Sequence, residues 1–240
     1  MSEQHPDTPP AGERLAKRVA ALRPCSRAEA ERLIEGGWVC VDGHVADDPA
    51  RRITHETVTI DPEGRPDTLE PVTLLWHKPA GVALHDDQPL AGLIAANGTL
   101  RPWHLKHLRC VSPMSAASSG LAVFAQSAGV LRKLREDGPL LEHEWTVETS
   151  GALPATTLTG LQPPAATIGS LHIKWSINSQ NAERTRLRVV TKRHTPTGLA
   201  QWLQQHQLQP RLLHRLRLGR VALGPLPVGE WRVLAAHERF

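Results

Sequence analysis

The 240-residue chain contains no tyrosine. Any mechanism that needs a phenol is therefore excluded, and the remaining aromatics are seven Trp and two Phe. Cysteine is scarce as well. Cys25, Cys40 and Cys110 do not make a disulfide framework, and a reduced, intracellular protein is the simpler reading. No apolar run approaches the ~18 residues of a membrane span. Residues 1–7 are acidic and proline-containing, unlike the basic-then-apolar start of a secretory signal. A cytoplasmic protein with no membrane partner is expected. What the chain has in excess is positive charge: 28 Lys+Arg against 24 Asp+Glu, net +4, with 22 of the cations Arg. Arg grips phosphate bidentately, although GC-rich codon usage produces the same excess.

The apolar pattern divides the chain. Residues 1–12 carry three prolines and no periodicity and read as a disordered tail. Leu15, Val19 and Leu22 then recur at i, i+4, i+7, the stripe of an amphipathic helix that Pro24 ends. Ser26 opens a second helix, with Glu29 three residues on as in a capping box. Its buried face is Ala30, Leu33 and Ile34, and Gly36-Gly37 stops it. Asp42-Gly43 between short apolar runs predicts a tight hairpin, with Val58–Ile60 as a closing strand. Residues 13–60 thus form a small module. Residues 61–71, with three prolines and a glycine, read as a linker. A second domain over 72–240 is strand-rich: 72–76, 121–125, 144–148, 170–177, 185–191, 216–223 and 231–234. Helical patterns interrupt it at about 128–136 and 198–207. The fold class expected is α+β with a largely antiparallel sheet.

The charge is unevenly spread. Residues 183–220 hold nine cations and one acid, Glu183, and residues 14–32 hold six cations and two acids. Arg14, Lys17 and Arg18 share a helix face away from the apolar stripe. Arg27 lies in the first turn of the second helix, where N-terminal amides also favour phosphate. Arg184, Arg186 and Arg188 alternate along one strand face. Solvated faces would account for such residues, but the alternation concentrates charge beyond what solubility needs. A phosphate-tracking surface is the sharper reading.

Two sets of motifs carry a family resemblance. Arg14-Leu15-Ala16-Lys17, the run from Cys25 to Ile34, Gly36-Gly37, Val39 and Val41-Asp42-Gly43 resemble the alpha-L RNA-binding motif. Leu74-Leu75-Trp76-His77-Lys78-Pro79-Ala80-Gly81-Val82, Ser118-Ser119-Gly120-Leu121 and Pro225-Leu226-Pro227-Val228-Gly229-Glu230-Trp231-Arg232 resemble the ribosomal RNA pseudouridine synthases of the RsuA/RluF type. Together they cover about residues 13–234. The resemblance implies a pseudouridine-synthase-like domain behind an RNA-binding module. It places Arg14, Lys17, Ser26, Arg27 and Arg32 against phosphates of an A-form helix or junction. It also implies an enzyme that flips a uridine from its stack and isomerises it with an Asp, a Tyr and a basic residue.

Those three groups are where the sequence departs from the family. Counting back from Ser118-x-Gly120-Leu121 aligns Ser112-Pro113-Met114-Ser115 with Gly-Arg-Leu-Asp, so the family's Asp is Ser115. A carboxylate is ionised at neutral pH, whereas a hydroxyl needs an adjacent base. Leu141-Glu142-His143-Glu144-Trp145-Thr146-Val147 aligns with the strand Lys-x-Tyr-x-Val and puts Trp145 at the Tyr. Indole stacks on a base but has a donor only. The Arg-rich third motif aligns with Pro196-Thr197-Gly198-Leu199-Ala200-Gln201, where every Arg is gone. Asp86 and Asp87 are the candidates for a substitute carboxylate.

Other constellations are weaker. His104, His107 and Cys110, at i, i+3, i+6, would share a metal only on one continuous helix, and no metal is expected. Ser115 or Ser118 with a His lacks the Gly-x-Ser-x-Gly elbow of a hydrolase. Trp103, Trp145 and Trp175 are core residues by default, with only Trp145 raised above that by its alignment as a stacking residue. The reading is a cofactor-free, monomeric protein that binds RNA, ribosomal RNA first, with no DNA partner and with catalysis lost. Two alternatives stay open: an active synthase with relocated groups, and a protein-interaction adaptor.

Overall fold

The computed structural model describes residues 12–67, 70–90, 93, 102–161, 165–168 (backbone only), 171–192 and 198–240. The expected tail lies outside them apart from Gly12. The chain divides into two compact units, Met1–Glu70 with Ala95–Lys106, and Pro71–Ile94 with His107–Phe240.

The first unit runs β1 (Glu13–Arg14), α1 (Leu15–Leu22), α2 (Arg27–Glu35), β2 (Val39–Val41), β3 (His44–Val45), β4 (Arg52–Ile53) and β5 (Val58–Ile60). Strands β3-β2-β5 form one small antiparallel sheet, and β1 pairs with β4 through Glu13↔Ile53 and Arg14↔Arg52. The capping box is present: Ser26 Oγ accepts from Glu29 N at 3.3 Å and Glu29 Oε2 accepts from Ser26 N at 2.7 Å. Ser26→Ala removes that cap and should cost about 1 kcal/mol, read as a lower urea midpoint with an unchanged slope. Asp42 (φ 52°) and Gly43 (φ 79°) both adopt the left-handed conformation of a two-residue hairpin turn. Leu15, Val19, Ala30, Leu33, Ile34, Val39 and Ile53 form the core. Leu22, expected in the apolar stripe, is instead 52% exposed. It is the last residue of α1.

Two features of this unit depart from the sequence reading. Residues 61–66 are tied down: Asp61 N donates to Trp38 O (2.8 Å), Arg23 Nη1 to Gly64 O (2.7 Å) and Arg32 Nε to Pro66 O (2.7 Å). Prolines deny a segment its strand and helix bonds, but its carbonyls still accept, and two arginines use them. The second feature is a helix with no sequence signal, α3 (Pro102–His107). Its Pro102 ring lies where a Cβ on Gly37 would be, 2.5 Å from it.

The second unit contains β6 (Thr73–Lys78), β7 (Arg109–Cys110), β8 (Ser118–Ala125), α4 (Ala128–Asp137) with a 3-10 turn (Gly138–Leu140), and β9 (His143–Ser150). It continues with α5 (Ala155–Gly160), β10 (Ala165–Ile168), β11 (Leu171–Gln180), β12 (Arg184–Lys192), α6 (Gly198–Gln205), β13 (Pro210–Leu218), β14 (Val221–Ala222) and β15 (Trp231–Val233). The main sheet runs β10-β11-β12-β9-β13-β8-β6-β15, with β14 on β13 and β7 on β8. Every pairing is antiparallel except β13 with β8. The expected strand 216–223 is two strands: β13 ends at Leu218, Gly219 (φ 58°) turns the chain, and β14 folds back. Helix α5 was also unforeseen, having only one Leu in six residues to mark a face. Central β8 is buried at every position. Leu75, Val111, Leu121, Val123, Leu134 and Leu218 form the core beside α4. Trp175 is a core residue, its Nε1 donating to Leu161 O at 3.1 Å.

Candidate nucleic-acid interface and the aligned catalytic positions

In the first unit, Arg14, Lys17, Arg27 and Arg52 line a groove of about 470 Å³ together with Gly12, Glu13 and Ala16. Arg14 caps α1 and Lys17 lies in its first turn, while Arg27 opens α2, so both helix starts contribute. The structure thus brings together three of the cations singled out in the sequence. It adds Arg52, which stands opposite Arg14 in the β1–β4 register and donates to Gly12 O at 2.6 Å. Nothing local in the sequence marks Arg52, because its place depends on a pairing between segments 38 residues apart. Arg18 is held by Glu13, and among the described residues Arg27 makes just an exposed i,i+4 pair with Glu31 (2.9 Å). Ser26 and Arg32 do not line the groove. The Ser26 hydroxyl accepts the cap bond, and Arg32 reaches Pro66 O.

The cation strip on β12 has a different character from the one its sequence window implies. Arg186 Nε donates to Glu148 (2.6 Å), and Arg188 grips Glu144 with two bonds (2.7 and 3.1 Å). Arg184 lies 3.7 Å from Glu148, Lys192 3.5 Å from Glu142, and Arg217 reaches both Glu144 (2.9 Å) and Glu142 (3.2 Å). Hydrogen bonds from Arg188 and Arg186 hold Glu144 and Glu148 below the usual carboxylate range, and Arg217 does the same for Glu142. The acids come from β9 and the residue before it, about forty positions upstream, so the window 183–220 could not show them. Five cations face three carboxylates, and the strip is a charge ladder more than a bare phosphate track.

At the aligned catalytic positions, Ser115 is exposed and its hydroxyl meets that of Ser118 at 2.8 Å. Among the described residues no carboxylate hydrogen-bonds to it. Asp87 and Asp86 are engaged by Arg135, at 2.5 and 3.7 Å. Lys78 is fully buried, and its three ammonium hydrogens serve Pro79 O, Val82 O and Ser118 O. Burial, with the charge of Arg215, lowers it to about 8. With every N–H pointed at a carbonyl it carries no lone pair for Ser115 or Ser118 to use.

Trp145 corrects the expectation of a stacking platform. It is 3% exposed, and the guanidinium of Arg215, its register partner on β13, lies 5.4 Å from its ring centre. A base has no open ring face to stack on. Arg215 itself is fully buried, donating to Leu121 O (2.7 Å) and Ser112 O (3.0 Å), and burial lowers it to about 10. At the third aligned motif, Pro196 and Thr197 lie outside the described residues, and Leu199 is a buried residue of α6.

The remaining constellations resolve differently from their spacing. Helix α3 ends at His107, so Cys110 lies on β7 and not on a shared helix face. Among the described residues no three His, Cys, Asp or Glu side chains are placed to hold a metal ion. The serine that meets a histidine is neither Ser115 nor Ser118 but Ser119, whose Oγ lies 2.9 Å from His214 Nδ1. Sequence spacing could not show a pair 95 residues apart. Among the described residues no helix is long and apolar enough to cross a membrane.

Comparison with known proteins agrees with this geometry. Residues 13–58 match the S4 domain, and the alpha-L motif lies within that span. The chain is 23% identical over 232 residues to the dual-specificity RNA pseudouridine synthase RluF of Salmonella typhi, covering 94% of this chain and 76% of that protein. It is 22% identical over 236 residues to RluF of Escherichia coli (strain K12), covering 96% and 78%. A crystal structure of a pseudouridylate synthase superposes with a TM-score of 0.55 at 15% identity, over 92% of this chain and 96% of that one. The chain therefore joins an S4 module to a pseudouridine-synthase fold with a large, mostly antiparallel sheet, in keeping with the RsuA/RluF type.

Proposed function

We propose that this chain, an S4 module joined to a pseudouridine-synthase fold, binds structured RNA, ribosomal RNA first, and does not isomerise uridine. Arg14, Lys17, Arg27 and Arg52 supply phosphate contacts at two helix starts, where cations and N-terminal amides act together. The observation that carries the loss of catalysis is the environment of Ser115. Among the described residues its hydroxyl meets only the hydroxyl of Ser118, and Lys78, the buried cation bonded to Ser118 O, has no free lone pair. Nucleophilic or base chemistry needs one or the other.

The test incubates the protein with unmodified ribosomal RNA and maps pseudouridine at nucleotide resolution. No product above background is expected, together with RNA binding that weakens steeply as salt rises. Stoichiometric new pseudouridine would sink the reading, and absence of RNA affinity at low salt would transfer the chain to the protein-adaptor class. Ser115→Asp is expected to stay inactive as well, because Trp145 remains buried beneath Arg215 and no phenol exists in the chain. A second reading, an active enzyme, draws on one observation: Asp86 lines the same pocket as Arg215. In that case product appears with the natural sequence and vanishes in Asp86→Asn.

A further inference from the structure

At the C-terminal end of α4 lies a pocket of about 270 Å³. Its walls are mainly apolar, with Val111, Leu134 and Leu218 along the side. Arg215 also touches it, and this side chain is unusual. It is a fully buried cation, two of its nitrogens are satisfied by backbone carbonyls, and Nη1 finds no acceptor among the described residues. A buried donor left without an acceptor is destabilising, and a buried charge without a counter-ion is more so.

The neighbouring groups do not neutralise it. Cys110 is pushed up to about 11 by burial and stays a neutral thiol. Lys78 is a second buried cation. Asp86, on the pocket lining, is engaged by Arg135 at 3.7 Å, and Asp87 also pairs with Arg135. His143 also lines the pocket, its Nε2 lying 3.0 Å from Gly138 O. The partial negative charge of the α4 C-terminus is opposed by Arg135 in its last turn. What is missing is one oxygen acceptor carrying negative charge.

We propose that this pocket binds a small carboxylate with an apolar body, one carboxylate oxygen accepting from Nη1 of Arg215 and the body lying against Val111, Leu134 and Leu218. A phosphate fits less well. It would bring several oxygens to a mainly apolar wall, where Arg215 has one hydrogen-bonding nitrogen to spare and Arg135 is already shared by two aspartates. A neutral alcohol would leave the buried charge uncompensated. The volume lies just below the ~300–1,000 Å³ of ordinary ligand pockets, which limits the ligand to a short chain. This inference goes beyond the proposed function and does not rest on RNA binding by the first unit.

The test titrates the full chain with hexanoate, hexan-1-ol and inorganic phosphate, followed by calorimetry and thermal unfolding. Hexanoate should bind, and at ten times its Kd it should raise the folding equilibrium constant about elevenfold. Hexan-1-ol and phosphate should bind at least tenfold more weakly. Two variants locate the site. Gly138 lines the pocket in a helical conformation (φ −51°, ψ −44°), and a Cβ there meets no atom within 4 Å. Gly138→Leu therefore places a side chain in that space, at some backbone cost because residue 138 precedes Pro139 in a helical conformation, and should weaken hexanoate at least tenfold. Arg215→Met should abolish the preference for hexanoate over hexan-1-ol, and if it does not fold, Gly138→Leu still decides. The proposal is overturned if the natural protein binds no hexanoate, or binds hexan-1-ol or phosphate as tightly. Undiminished binding in Gly138→Leu overturns it as well.

Discussion

Replacing Arg14, Lys17 and Arg27 together by glutamine is expected to lower RNA affinity about a hundredfold at 0.1 M salt and to flatten the salt dependence by two to three units of slope. The slope carries the physical content, because each phosphate neutralised by the protein releases condensed counterions, and three fewer contacts release fewer. The fold should survive. Arg14 and Lys17 are exposed, and among the described residues no bond of their side chains holds the unit together. Arg27 loses only a surface pair with Glu31, a type of contact that contributes little. The control is the equivalent triple change on β12, Arg184, Arg186 and Arg188 to glutamine. These residues are paired with Glu144 and Glu148, so they should affect the salt slope much less. Equal losses from both triples would show that the ladder is a phosphate track after all. An unchanged slope in the first triple would remove the groove from the binding surface.

The largest expected effect on stability comes from one missing methyl. Gly120 on β8 has φ 103°, a conformation L side chains rarely adopt, and a Cβ there would overlap the backbone of Arg215 on the parallel strand β13. Gly120→Ala combines backbone strain of about 1–3 kcal/mol with overpacking of about 1–3 kcal/mol. A loss of about 3–5 kcal/mol is expected, a large part of a domain's total stability. The readout is the denaturant midpoint of the second unit, with Gly129→Ala as control. Gly129 lies in α4, where the nearest atom to an added Cβ is 3.8 Å away, so that change should be neutral or stabilising. A Gly120→Ala protein within 1 kcal/mol of the natural one would mean that β8 and β13 do not approach as described.

How much of this was legible in the sequence depended on how local the cause was. The capping box at Ser26, the Asp42-Gly43 turn and the buried face of α2 depend on residues a few positions apart, and all three appear as the sequence implies. The alpha-L motif, inside the span that matches the S4 domain, and the order of the synthase motifs were likewise readable, as was the absence of a carboxylate at position 115. A residue that is not in the chain cannot be restored by folding. The missing tyrosine belongs to the same class: no arrangement of these elements supplies a phenol.

The partners of charges were not legible, because a charge acts through space and its partner can come from anywhere in the chain. Arg52 joins the groove only through the pairing of β1 with β4. The bare cation strip of residues 184–188 becomes a ladder only once β9 lies beside β12 and brings Glu144 and Glu148 to it. Trp145 looked like a stacking residue from its aligned position and is a buried one, because β13 lays Arg215 across it. The sequence by itself determined which chemistry is absent and which short segments form helices and turns, since both follow from residue identity and local sterics. The tertiary structure alone decided which cations line one groove, which pair with carboxylates and which buried guanidinium is left with a donor to spare, since these depend on strand register between distant segments.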